Sequence, residues 1–217
     1  MLMRFFAAAA LLASAAACTA QVPPAQASIV EGQDYQLIEP PVPVSTPAGK
    51  IEVIEVFGYS CGHCANLQPI VDAWKPKLAD DVQFSYMPAV FGGAWEVYAR
   101  AYYAAETMGI LDRSHVATFN KLHVERKPVA SIEDVADLYV EYGVTREEFL
   151  AAMQSFAVNA KIASAQQTVQ RYGVDGTPSM IVNGKYRVMS PREGGFQRML
   201  EITDALVAKE RAAVAAN

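Results

Sequence analysis

Between Ile51 and Phe57 the alternation of side chains predicts a strand, with Ile51, Val53, Glu55 and Phe57 on one face and Glu52, Ile54 and Val56 on the other. Glu55 therefore interrupts an apolar face, while Glu52, at the start of the strand, reads as a solvated end residue. Leu67, Val71, Trp74 and Leu78 then recur at helical spacing, which predicts a helix kinked by Pro69 and disturbed near its end by Pro76. Val82 to Met87 reads as the next strand. Upstream, Gly32 to Ile38 reads as a short strand, and Pro40, Pro41, Pro43 and Pro47 force an extended crossing into Ile51.

From Trp95 to Tyr172 the period is helical throughout. Trp95, Tyr98, Tyr102, Ala105 and Met108 form one stripe, and Val116, Phe119 and Leu122 a second. Ser131 with Asp134 and Thr145 with Glu148 have the spacing of capping boxes, and Gly143 and Gly173 stand where helices end. The aromatic stripes read as core, and His115 and His123 as surface helix residues rather than ligands. Ser179 to Val182 and Lys185 to Met189 flank Asn183-Gly184 as the two strands of a hairpin, and Pro191 to Lys209 closes as a helix with Phe196, Leu200 and Leu206 among its apolar positions. The alanine-rich end beyond it is expected to fray.

Composition changes this picture at the chain's start. Met1 to Ala17 carries Arg4, a short apolar block and then small residues, which reads as a secretory signal too short to span a bilayer. Cys18 follows Ser14-Ala15-Ala16-Ala17, a small-residue box like that before the lipidated cysteine of bacterial lipoproteins, although Ala15 stands where Leu is usual. The alternative is that Cys18 is a leader passenger removed by cleavage farther on. The expected organisation is a signal peptide over 1–17, a flexible tether over 18–31, an α/β first half over 32–91, an all-helical insertion over 92–172 and an α/β second half over 173–210. A net charge of −5 with no basic stripe gives no surface for nucleic acid.

The chemistry concentrates at Cys61-Gly62-His63-Cys64, where the first predicted strand turns into a helix. Two cysteines at this spacing can close a disulfide within one helical turn, and Cys61 sits where unpaired N–H groups and the helix dipole favour a thiolate. Cys61 is thus the expected nucleophile, Cys64 the thiol that resolves a mixed disulfide, and His63 a stabiliser of the Cys61 thiolate. A structural zinc site would require about four protein ligands, and beyond Cys18 the chain has only these two cysteines, so no metal is expected. Glu55 has two readings: a solvated acid at a sheet edge, or a buried carboxylate beneath the dithiol that exchanges the proton of Cys64.

Strand, C-x-x-C helix, strand, then Thr177-Pro178 opening a hairpin and a final helix is the order of the thioredoxin fold. With a helical block between its halves, the chain resembles the DsbA family of bacterial periplasmic thiol oxidases from about Gly32 to Lys209. The resemblance is carried by Glu55, the dithiol turn, Gly176-Thr177-Pro178 and Val182-Asn183-Gly184-Lys185-Tyr186. It implies a thioredoxin fold with an inserted all-helical domain, Pro178 as a cis-proline facing the dithiol, and Thr177 and Pro178 as the substrate-binding pair. It also implies that reduced secreted proteins are the substrates, that a quinone-linked membrane thiol oxidase of the DsbB type is the partner, and that the enzyme is a monomer without a bound cofactor. Gly62 departs from the best-known members, which carry Pro there; Cys-Gly-His-Cys is the turn of protein disulfide isomerases, which implies a weaker oxidant. Two other functions stay open from sequence: a reductase or isomerase kept reduced, and a peptide-binding chaperone with an incidental dithiol.

Overall fold

The structure is a computed structural model and describes residues 29–191 and 193–215. The segment expected to be a signal peptide, most of the expected tether and Cys18 lie outside these residues.

One five-stranded sheet forms in the order β1–β5–β4–β2–β3, built from β1 (Gln36–Leu37), β2 (Ile51–Phe57), β3 (Val82–Pro88), β4 (Ser179–Val182) and β5 (Tyr186–Met189). Only β2 and β3 are parallel, with helix α1 (Gly62–Trp74) in the crossover between them; the other pairs are antiparallel. The first strand is much shorter than Gly32 to Ile38. The Asp34 carboxylate accepts the Val30 N–H at 2.8 Å, and Gln33 and Asp34 donate to the Val30 carbonyl, so this stretch curls into a turn before reaching the sheet.

All of β2 is buried. Ile51 and Val53 pack with Leu67, Val71 and Trp74 of α1 and with Met199, Leu200 and Leu206 of α7 (Gly195–Ala215), while Ile54 and Val56 pack with Ile38, Val42, Val169 and Tyr172. Both faces are therefore covered, and each fully buried aliphatic side chain contributes roughly 1.5–3 kcal/mol. This corrects the reading of Glu52 as solvated. It is 3% exposed, and its carboxylate accepts from the Ser45 N–H at 3.0 Å and the Ser45 hydroxyl at 2.8 Å.

The insertion between β3 and β4 comprises α2 (Ala94–Thr107), α3 (Leu111–Phe119), a π-helical turn (Asn120–Val124), α4 (Ile132–Asp137), α5 (Arg146–Met153) and α6 (Phe156–Arg171). Both capping boxes are formed, Ser131 with Asp134 and Thr145 with Glu148. Tyr102, Ala105 and Phe119 enter the core with Phe57 and Tyr59, but Val116 of the second stripe is 38% exposed, because α3 turns its histidine face inward instead.

Asn183 and Gly184 both have positive φ, and Lys185 N donates to the Val182 carbonyl at 3.0 Å, closing the β4–β5 hairpin. A Cβ on Gly184 would lie 2.0 Å from the Val42 carbonyl oxygen, so only glycine lets the turn dock where Val42 N donates to Gly184 O at 2.9 Å. Helix α7 begins at Gly195 rather than Pro191, where Gly194 and Gly195 both have positive φ, and it runs past Lys209 to Ala215. Its far end is tied down: Glu210 accepts from Asn183 at 2.5 Å, Lys185 at 2.6 Å and Tyr186 at 3.0 Å, and Arg211 grips Asp81.

Candidate active site

The turn from β2 into α1 is shaped by Gly58, where a Cβ would lie 2.1 Å from the Trp95 ring. Cys61 N donates to the Gly58 carbonyl at 3.0 Å, and Cys61 becomes the extended N-cap of α1 (φ −87°, ψ 112°). Its Sγ accepts the Cys64 N–H at 3.3 Å, as a capping oxygen would. The thiol is half-buried and its pKa is lowered to about 5. A hydrogen bond from the Cys64 thiol is the largest cause; burial opposes it, and the Thr177 side chain and the backbone N–H groups of Cys64 and His63 add to it.

Cys64 is the opposite case. It is 0% exposed, and burial, the hydrogen bond to Cys61 and the Cys61 charge push its thiol far up. Both cysteines are free thiols in this structure. One sulfur is therefore poised to attack and the other held protonated behind it.

The His63 ring is exposed and faces Phe196 edge-on at 6.5 Å, so the contact His63 makes with the sulfur is through its backbone N–H. Gly62 is exposed, and a Cβ there would meet nothing, so the turn would admit a larger residue. Thr177-Pro178 is cis, and the Cys61 thiol donates to the Thr177 carbonyl at 3.5 Å, which brings the loop before β4 onto the dithiol.

Glu55 is 0% exposed, in register with Tyr86 of β3 and Met180 of β4, and neither of its carboxylate oxygens has a hydrogen-bond partner in the protein. Burial raises its pKa to about 8, the Cys61 and Asp72 charges add to the rise, and Lys75 opposes it. β2 is flanked by strands on both sides, so the edge-strand reading of Glu55 does not hold.

Two residues read from sequence as surface histidines belong to this neighbourhood. His115 is 6% exposed, with Nδ1 2.9 Å from the Tyr59 hydroxyl and Nε2 3.1 Å from Gln68 Oε1. His123 places Nε2 2.7 Å from the Tyr59 carbonyl. The signal available in the sequence was the spacing of four through His115, Phe119 and His123, which stacks all three on one helix face. Among the described residues no group of three or more His, Cys, Asp or Glu side chains is placed to hold a metal ion.

Comparison with known proteins agrees with this geometry. A family model described as a DSBA-like thioredoxin domain matches residues 86–206. The thiol:disulfide interchange protein DsbA of Pseudomonas aeruginosa is 42% identical over 182 residues, covering 84% of this chain and 86% of that one. Its namesake in Pseudomonas syringae pv. tomato is 40% identical, covering 87% of each chain. Among solved structures, P. aeruginosa DsbA superposes with a TM-score of 0.80 at 41% identity, over 86% of this chain and 97% of that one. The oxidoreductase DsbA from Xylella fastidiosa gives 0.79 at 39% identity, over 85% and 98%. The mixed sheet with its helical insertion is thus a thioredoxin-like DsbA fold.

Proposed function

Because the chain belongs to the DsbA family and is a thiol:disulfide oxidoreductase, we propose that it works as a net oxidase, passing a Cys61–Cys64 disulfide to reduced secreted proteins. The observation that supports this direction is the asymmetry of the two thiols: a half-buried Cys61 Sγ held by helix N–H groups, and a fully buried Cys64. Only the reduced form has a thiolate to stabilise, so that stabilisation makes the disulfide more oxidising.

A substrate thiolate attacks Cys61 Sγ, the Cys61–Cys64 bond breaks, and Cys64 leaves. Because the Cys64 thiol is pushed so far up, it leaves well only if protonated as it departs. Glu55, which stays protonated up to about pH 8, supplies that proton through an intervening water, since no direct hydrogen bond joins it to Cys64. The second substrate thiolate then attacks the substrate sulfur of the mixed disulfide, and Cys61 departs as the stabilised thiolate. Two electrons have passed from the substrate to the dithiol.

The Thr177 backbone and Pro178, which has no N–H, form the edge on which an extended substrate segment pairs through main-chain hydrogen bonds. His63 stabilises the thiolate, and Gly62 tunes the turn. A quinone-linked membrane thiol oxidase of the DsbB type re-oxidises the pair, and the protein acts as a monomer. We place it in the periplasm, exported by residues 1–17 and carried on a tether over 18–31, with Cys18 as the candidate lipid attachment. The halves 32–91 and 173–210 hold the chemistry, and 92–172 is the helical insertion.

The test is oxidation of a reduced, unfolded protein containing two cysteines. The wild type generates the substrate disulfide and Cys61→Ala abolishes it. Cys64→Ala cannot hold the Cys61–Cys64 disulfide and is expected to generate none either, while a substrate with a single cysteine stays joined to Cys61 on a non-reducing gel when the Cys61 of that variant is first activated as a mixed disulfide. Equal activity without Cys61 contradicts the reading and favours a chaperone.

A further inference from the structure

Buried His115 and half-buried His123 admit one assignment of protons. Gln68 Nε2 lies 3.0 Å from both Asp72 Oδ1 and the Tyr86 hydroxyl, so both amide hydrogens are committed and Gln68 Oε1 is left as an acceptor. His115 Nε2 must then carry the hydrogen it donates to Oε1, its Nδ1 is bare, and the Tyr59 hydroxyl donates to that nitrogen. Burial keeps the ring neutral, its pKa lowered to about 3. From the other side, His123 Nε2 can only donate to the Tyr59 carbonyl.

Tyr59 is thus held at both ends, side chain and main chain, by α3 and the π-helical turn that continues it. Tyr59 lies two residues before Cys61, and Gln68 lies in the helix that Cys61 caps. We propose that His115 and His123 are positioning residues for the dithiol: they fix the Tyr59 turn against α1, so that the helical insertion sets how squarely Cys61 Sγ meets the N–H groups of His63 and Cys64. This rests on the reading of Cys61 as the stabilised nucleophile. A π-helical turn reaching the backbone of the reactive loop is consistent with the frequent use of such turns at functional sites.

Thiolate absorbance against pH on the reduced protein tests it, with Tyr59→Phe, His115→Gln, His123→Ala and His123→Gln. Tyr59→Phe keeps the ring in the core and removes only the hydroxyl, with its bonds to His115 and to Tyr139, so Tyr139→Phe, which leaves the His115 bond in place, is the control that separates the two even if His115→Gln folds poorly. His123→Gln retains a donor for the carbonyl and is expected to restore what His123→Ala loses.

At a pH equal to the wild-type midpoint, Tyr59→Phe and His123→Ala are expected to lower the thiolate fraction about twofold, equivalent to about half a pH unit, and His123→Gln to stay near wild type. A low wild-type midpoint that no variant moves overturns the clamp alone. A wild-type midpoint near that of a free thiol overturns the reading of Cys61 and the clamp with it.

Discussion

The Cys61 sulfur is stabilised by short-range donors rather than by a neighbouring cation, and that sets what each substitution does. The Cys64 thiol is the largest cause of the lowered Cys61 pKa, so Cys64→Ala is expected to raise the Cys61 midpoint from about 5 toward the free-thiol range, as read by thiolate absorbance. His63→Ala keeps the backbone N–H and is expected to move it less than Cys64→Ala does. Glu55→Gln removes a buried acid whose oxygens have no partner, so folding stability in urea is expected to hold or rise at pH 8, where the wild type begins to bury a charge. The same variant is expected to slow departure of Cys64, by roughly the 10²–10⁴-fold that a positioned proton donor contributes, in stopped-flow reduction of the disulfide form. Unchanged reduction kinetics would remove Glu55 from the reaction.

At the level of elements, the site depends on β2 being fixed on both faces and on the β4–β5 hairpin docking correctly behind it. Gly184→Ala places a Cβ 2.0 Å from the Val42 oxygen at φ +63°, and is expected to cost about 2–3 kcal/mol in urea unfolding. A loss below about 0.5 kcal/mol would show that the Val42 segment shifts freely. The dithiol turn, the strand of Ile51 to Phe57 and the Asn-Gly hairpin were legible in the sequence because local pattern and turn chemistry specify them. Glu52 was not, because its partner Ser45 lies across an irregular proline-rich crossing that has no period to read. His115 and His123 were missed because the apolar stripe through Val116 and Phe119 competes with the spacing of four through His115, Phe119 and His123, and only the packing of α1 and Tyr59 against this segment decides which turns inward. The extension of α7 beyond Lys209 was not legible because the partners of Glu210 and Arg211, namely Asn183, Lys185 and Asp81, are distant in sequence.

For the whole molecule, the two perturbed groups make stability depend on redox state and pH together. The folded Cys61 pKa, about 5 against an ordinary 9.0, means that the reduced fold binds fewer protons than the unfolded chain across that window; this stability rises with pH and is lost as pH falls through 5. Glu55, raised from 4.5 to about 8, binds more protons in the fold, so its contribution is present below 4.5 and is lost as pH rises through 8. The two oppose each other in the reduced protein, whereas the disulfide form has no Cys61 thiol and retains only the Glu55 loss, without the part of the Glu55 rise that the Cys61 charge causes. Urea unfolding of both forms is therefore expected to show the reduced form gaining on the disulfide form from about pH 5 to pH 8; a constant gap would contradict the pairing of these groups. Such a gap makes the disulfide an oxidant, and the direct test is the redox state of the pair in cells that express the protein, fixed by acid quench and read by thiol alkylation of Cys61 and Cys64. A net oxidase keeps the pair mostly as the disulfide; a pair found mostly as the dithiol would mean that the protein is a reductase or isomerase instead.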